Sequence, residues 1–196
     1  MPDDEWVLDK AQSTKRESAR VDFKQSFDVG NKGAWCEIIK DIVAMWNTKG
    51  GVTLIGLDNG GNPSGIQPPG ERGFDSADII NKIEKYTGLS LDYASVCRFK
   101  RGSQQVAAIV VEAGDILIAF DKDGQYAEDS GKPKCAFSRG IVYFRRGSKS
   151  EPGGTEEIRA WFERQMEAGH KRGSEGMRKV FTAPPAPGSR PFLQML

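Results

Sequence analysis

Residues 33–57 read GAWCEIIKDIVAMWNTKGGVTLIGL, and this stretch sets the fold class. Trp35, Ile38, Ile39, Ile42, Val43 and Trp46 recur at the spacing of one helical face, while Glu37, Lys40 and Asp41 take the other. Gly50-Gly51 ends the helix, because glycine enters the left-handed cap conformation without a Cβ clash. Val52 to Leu57 follows as a buried strand, and Asp58-Asn59-Gly60-Gly61-Asn62-Pro63 as a turn. A helix feeding directly into a buried strand points to mixed α and β structure.

Working outward, Arg20 to Lys24 reads as a strand with Val21 and Phe23 toward the core and Asp22 and Lys24 on the opposite face. Downstream, a helix near Ser76 to Tyr86 opens on Asp75 or Ser76 as N-cap and buries Ile79, Ile80 and Ile83. Ala94 to Lys100 and Gln104 to Glu112, joined by Arg101-Gly102-Ser103, carry a hairpin signal. Strands are expected at Ile116 to Phe120 and Ile141 to Arg145. A last helix is expected from Thr155, its buried face formed by Ile158, Trp161, Phe162 and Met166. The order predicts an α+β (α/β mixed) domain: a mixed sheet with flanking helices.

The chain of 196 residues fits one domain, expected over residues 14–168 after an N-terminal extension at 1–13. From His170 onward prolines and glycines accumulate and five basic residues face one acidic, so 169–196 is expected to be a flexible basic tail. Phe192, Leu193 and Leu196 could dock there, though fraying is the simpler expectation. The net charge of +1 means that polyanion binding must come from local clusters. Three cysteines without short spacing argue against a disulfide framework or zinc knuckle. No stretch has the roughly 20 apolar residues of a membrane span. The acidic start lacks a signal-peptide layout, so the expected location is cytoplasmic.

Glu17, Asp22 and Lys24 are the candidate catalytic residues of the opening segment. Two carboxylates offer hard oxygen ligands to Mg²⁺ or Mn²⁺, and a lysine can hold a phosphate or steady building charge. The same triplet also fits an exposed strand face with a weak Asp22–Lys24 pair. Asp58, at a strand end, could complete a three-carboxylate metal set with Glu17 and Asp22, or be turn chemistry alone. Asn47-Thr48-Lys49-Gly50-Gly51 lacks phosphate-loop spacing and follows a helix instead of preceding one, which rejects a nucleotide-binding loop. Arg98, Lys100 and Arg101 beside Phe99, and Arg145, Arg146 and Lys149 beside Tyr143 and Phe144, are the candidate nucleic-acid-binding residues. His170 is the only histidine, which excludes a histidine triad.

Four blocks together resemble the Schlafen AlbA-type domain, over about residues 14–166. Glu17-Ser18 with Val21-Asp22-Phe23-Lys24 is similar to its opening strand. Ile38 to Ala44 leading to Asn47 and Gly50-Gly51 is similar to its helix and glycine pair. Leu54 to Gly60 with Gly65-Ile66 resembles its hairpin. Val142 to Ser148, followed by Thr155 to Ile158, resembles its closing strand and helix. The resemblance implies a nucleic-acid-binding domain. Through animal relatives that cut transfer and ribosomal RNA, it also implies a metal-dependent endoribonuclease using Glu17, Asp22 and Asp58 with Mg or Mn, and Lys24 beside them. Two departures leave a non-catalytic DNA- or RNA-binding module in a regulatory or defence system as the alternative. Asp22 stands where a Glu is usual, and Asn59 competes with Asp58 for the third acid. The nuclease members pair two copies of the fold across a groove, so this single copy is expected to homodimerise.

Overall fold

The computed structural model describes residues 11–90 and 94–182, with α3 side chains described only as far as Ser174. Most of the expected N-terminal extension, and the tail from 183 with Phe192, Leu193 and Leu196, lie outside them. The first elements are β1 (Val21–Lys24), α1 (Lys32–Thr48), β2 (Gly51–Ile55) and α2 (Ser76–Thr87). Then come β3 (Ala94–Arg101), β4 (Gln104–Val111), and short strands β5 (Gln125–Ala127) and β6 (Pro133–Cys135). β7 (Tyr143–Arg146), β8 (Lys149–Pro152) and α3 (Thr155–Thr182) close the chain. It divides into two compact units, residues 1–157 and 158–196.

In the first unit a four-stranded sheet runs in the order β1-β2-β4-β3. β1 and β2 are parallel, with α1 as their connection, while β4 is antiparallel to both its neighbours. The fold is α+β, as the sequence implies. Ile55, Ala107, Ile109 and Val111 join Ile38, Ile39, Ile42 and Met45 of α1 in one core cluster. Val21, Phe23, Val52, Leu54, Val106 and Ala108 form a second cluster. The strands alternate between the two, as the two-residue pleat period requires.

Local chemistry sets the element ends. Asn31 caps α1 by accepting from the Ala34 amide at 3.0 Å. Gly50 holds φ at 67°, and its amide bonds back to the Met45 carbonyl at 2.8 Å. A Cβ on Gly50 would lie 2.6 Å from the Val111 carbonyl, and one on Gly51 would lie 2.6 Å from that of Arg20. Both glycines are therefore required by the close approach of β1 and β4 as well as by the cap. Asp75 and Asp78 form a reciprocal capping box on α2. Buried Gln104 pins the long loop after β2, donating to the Gly56 and Ile66 carbonyls at 2.7 and 3.0 Å and accepting from the Gly65 amide at 2.7 Å.

Two sequence expectations are corrected. Ile116 to Phe120 forms no strand and contributes a single bridge between Ala119 and Val142. Its backbone instead bonds side chains of α1: Trp46 Nε1 donates to the Ile116 carbonyl at 2.9 Å. The last helix runs from Thr155 to Thr182. Its residues up to Lys179 include the good helix formers Glu, Lys, Arg and Met, and the prolines begin only at Pro184. Of the expected buried face of that helix, Trp161 is buried, whereas Phe162 and Met166 are exposed, 55% and 63%.

Asn47, fully buried, ties the end of α1 to two later segments. Its Nδ2 donates to the Ile118 and Tyr143 carbonyls at 2.9 and 3.0 Å, and its Oδ1 accepts from the Ile118 amide at 2.9 Å. Asn47→Ala leaves those buried backbone groups without these partners and is expected to cost about 3 kcal/mol. Urea denaturation reads this as a lower midpoint with an unchanged slope. A loss below about 0.5 kcal/mol, the size of an ordinary surface change, contradicts the role.

Candidate functional site

The chemistry-bearing face of β1 meets α1 and β7 in one buried network. Asp22 and Lys24 point from β1 toward Asp41 of α1, and Arg145 of β7 completes the group. The Lys24 ammonium lies 2.9 Å from Asp22 Oδ2 and 2.9 Å from Asp41 Oδ2. The Arg145 guanidinium spans the same two acids, NH2 at 3.1 Å from Asp22 Oδ1 and NH1 at 3.2 Å from Asp41 Oδ1. Ser150 of β8 donates to Asp41 Oδ1 at 2.7 Å and accepts from Arg145 NH1 at 3.2 Å. Thr48, which donates to the Ala44 carbonyl, accepts the Arg145 backbone amide at 2.9 Å and so fixes β7 on the end of α1.

The network holds two carboxylates and two cations, so its charge is balanced. Asp22, Asp41 and Arg145 are buried, and Lys24 keeps about a third of its side chain exposed. Burial pushes the Asp22 carboxyl above its ordinary range and Asp41 pushes the same way, opposed by Lys24 and Arg145. For Lys24 burial disfavours the ammonium, but the carboxylates of Asp41 and Asp22 outweigh it and raise the pKa.

The expected metal set is not assembled. Glu17 turns to the edge of β1, where its Oε1 accepts the Phe23 amide at 3.1 Å. Together with the Ser18–Val21 bridge it closes part of that strand edge. Asp58 lies in its turn, Oδ1 accepting the Gly60 and Asn62 amides at 2.9 and 2.8 Å. Those bonds, the Asn62 amide first, hold its carboxyl below the usual range. Among the described residues no group of three or more His, Cys, Asp or Glu could hold a metal ion. The oxygens of Asp22 are engaged by Lys24 and Arg145, which supply the positive charge a divalent ion would bring. The residues present do not fit Mg²⁺ or Mn²⁺.

The basic residues divide into two kinds. Arg145 is buried in the network and offers nothing to solvent, with NH1 and NH2 each paired with an acid. Arg98 donates to the Phe74 and Pro69 carbonyls at 2.7 and 3.3 Å and lies over the Phe74 ring, a structural anchor for the loop before α2. Arg146 is exposed but paired with Glu157 at 2.6 Å and Glu151 at 3.3 Å. Arg101 bonds the Thr14 carbonyl. Lys100 and Lys149 are exposed and make no ion pair among the described residues.

Sequence reasoning missed Asp41 and Ser150. Helical periodicity assigned Asp41 to the solvent face, yet it is 6% exposed. The available signal was in β7: two-residue alternation puts Arg145 on the same side as Tyr143, which is in the core. A buried arginine requires acids facing it, and Asp22 alone leaves half the guanidinium unmatched.

The chain belongs to the Schlafen AlbA_2 family, whose model matches residues 17–153. Among solved structures it is similar to the DIP2311 protein of Corynebacterium diphtheriae, at 18% identity and a TM-score of 0.51. That match covers 82% of this chain, which spans only 28% of the other's length. It is also similar to the N-terminal domain of a DNA helicase RecG-related protein of Nitrosomonas europaea, at 18% identity and a TM-score of 0.41, covering 77% of this chain and 93% of that one. At this identity the first likeness speaks to the fold. No curated protein gives a significant match.

Removing one member of a buried ion network strands its partners in a poor solvent. Arg145→Met is expected to cost about 3–5 kcal/mol, and Lys24→Met less, because part of the lysine already reaches water. Adding Asp41→Asn to Arg145→Met should restore part of the loss. The sign of the lysine's shift fixes the pH dependence. A raised pKa means a contribution present in full below the ordinary value of 10.5 and lost only above it. The Lys24→Met penalty should therefore be flat from pH 7 to 9 in denaturant titrations. A larger loss for Lys24→Met than for Arg145→Met contradicts this picture.

Proposed function

We propose that this chain is a nucleic-acid-binding module that holds its target without cutting it. Membership of the Schlafen AlbA_2 family supports the first half, since nucleic-acid binding is the role ascribed to that family. One observation carries the second half. The acids of the expected catalytic strand and its helix, Asp22 and Asp41, are each matched by Lys24 and Arg145 in a balanced, largely buried network.

Phosphodiester hydrolysis needs a group to activate water and a positive charge free to meet the phosphate as charge builds. Lys24 is held at 2.9 Å by both carboxylates, and Arg145 is enclosed. Neither cation is free to bind the transition state, and neither acid is free to ligate a metal. The network serves instead to fix β1, α1 and the β7–β8 ribbon relative to each other. A nucleic-acid-binding surface needs such a rigid frame, so that exposed cations keep their spacing. Two copies facing one another would enclose a strand from both sides, so the reading includes the homodimer expected from the resemblance. No helix among the described residues is long and apolar enough to cross a membrane.

The test uses the whole chain with labelled transfer RNA and with a labelled DNA duplex, by fluorescence anisotropy and by gel in the presence of Mg²⁺ or Mn²⁺. Binding that weakens steeply between 50 and 200 mM salt, with intact substrate after incubation, is the expected result. Strand cleavage that Asp22→Ala abolishes would establish the endoribonuclease and overturn the proposal. No detectable binding to either nucleic acid overturns it as well.

A further inference from the structure

The basic residues that sequence reading singled out are mostly occupied, which leaves open which surface meets the phosphates. A group that adds Lys15 and Arg16 to two of those residues, Lys100 and Arg101, answers the description. Lys15 and Arg16 lie just before the first strand, are exposed, and make no ion pair among the described residues. They are held at a defined place. The Arg101 guanidinium donates to the Thr14 carbonyl from the end of β3. The turn after β2 closes on the same backbone: a Cβ on Gly61 would meet the Thr14 carbonyl oxygen and the Lys15 Cα at 3.0 Å. Thr14 Oγ1 donates to the Arg16 carbonyl at 3.2 Å, shaping the segment from within. Lys100, exposed, stands one position before Arg101 at the tip of the β3–β4 hairpin, on the opposite face of that ribbon from Arg101.

Three separate pieces of chain thus bring Lys15, Arg16, Lys100 and Arg101 to one end of the sheet. The acids in those pieces are Glu17 and Asp58. Four cations against two carboxylates leave a local surplus of two positive charges, in a chain whose total is +1. Both acids are also partly occupied, Glu17 by the Phe23 amide and Asp58 by the Gly60 and Asn62 amides. The rival site at the β7–β8 tip has no such surplus, since Arg146 and Lys149 stand with Glu151 and Glu157 and the charges cancel.

We propose that Lys15, Arg16 and Lys100, braced by the Arg101–Thr14 contact, form the surface that takes the phosphodiester backbone of DNA or RNA. This rests on the nucleic-acid-binding reading and names its contact surface. Lysine and arginine heads on both sides of one sheet end suit successive phosphates of a strand crossing that end, and each phosphate neutralised releases counterions, which makes binding salt-dependent. A surface of this kind positions the strand and carries no sequence preference of its own.

The experiment compares wild type, the triple variant Lys15→Gln/Arg16→Gln/Lys100→Gln, and the control Lys32→Gln/Lys122→Gln/Lys132→Gln. The control removes the same charge from exposed lysines elsewhere. Anisotropy is read with a labelled single-stranded RNA and a labelled DNA duplex of equal length, between 50 and 200 mM salt. The triple variant should lose at least tenfold in affinity at 50 mM salt. Its logarithmic salt slope should fall by about 2 to 3, as expected for three lost phosphate contacts. The control should stay within twofold, and melting temperatures should match, because all six side chains are exposed. The RNA and duplex arms tell which backbone the surface prefers. If wild type binds and the triple variant binds equally well, the surface is overturned while the nucleic-acid reading stands. If the control loses as much as the triple variant, the effect is one of total charge and the surface is overturned. If wild type binds neither probe, both fall together.

Discussion

A single buried guanidinium organises this molecule. Arg145 reaches Asp22 and Asp41 at 3.1 and 3.2 Å, partners 123 and 104 residues away along the chain. A charge in that position is tolerable only when both acids are in place, and the acids are tolerable only when Arg145 and Lys24 are. The first strand, the long helix and the β7–β8 ribbon must therefore arrive together. Such a network need not be more stable than an apolar core of the same volume. What it supplies is a unique answer to where β7 lies on α1, reinforced by Thr48 and Asn47 from the same helix end.

The same balance governs the chemistry. A strand carrying Asp22 and Lys24 two residues apart looks like half of a metal-dependent site when read along the sequence. In three dimensions the missing half is Asp41 together with Arg145, an acid that arrives already paired with a base. Charge that a divalent ion would bring is already present as two side chains, and Glu17 and Asp58 are used locally, one to close a strand edge and one to shape a turn. On the proposed reading, function moves outward, from the strand face to surface cations that the rigid frame holds in place.

Much of the fold was legible because it rests on local rules. The α1 face, the Gly50-Gly51 stop, the β3–β4 hairpin and the cap at Asp75 all follow from periodicity and turn chemistry within a short window. The strands β5, β6 and β8 were not visible, because they are short and largely exposed and carry no alternation of apolar and polar residues. Asp41 was misjudged because a helical wheel gives a residue's direction and not what lies there. Arg145 was misjudged for the converse reason: a basic residue beside a glycine turn suggests a solvated tip, and only the acids facing it show otherwise. Lys15 and Arg16 were passed over because their relation to Lys100 depends on the Arg101–Thr14 contact, which no local pattern encodes.

The claim most exposed to test is that Lys24 and Arg145 take the place of a metal ion. Titration of the whole protein with Mn²⁺, followed by the loss of the free-ion electron paramagnetic resonance signal, addresses it directly. The account predicts no stoichiometric binding at micromolar Mn²⁺ by the wild-type chain. One ion bound per chain in that range, released by Asp22→Asn, would contradict it.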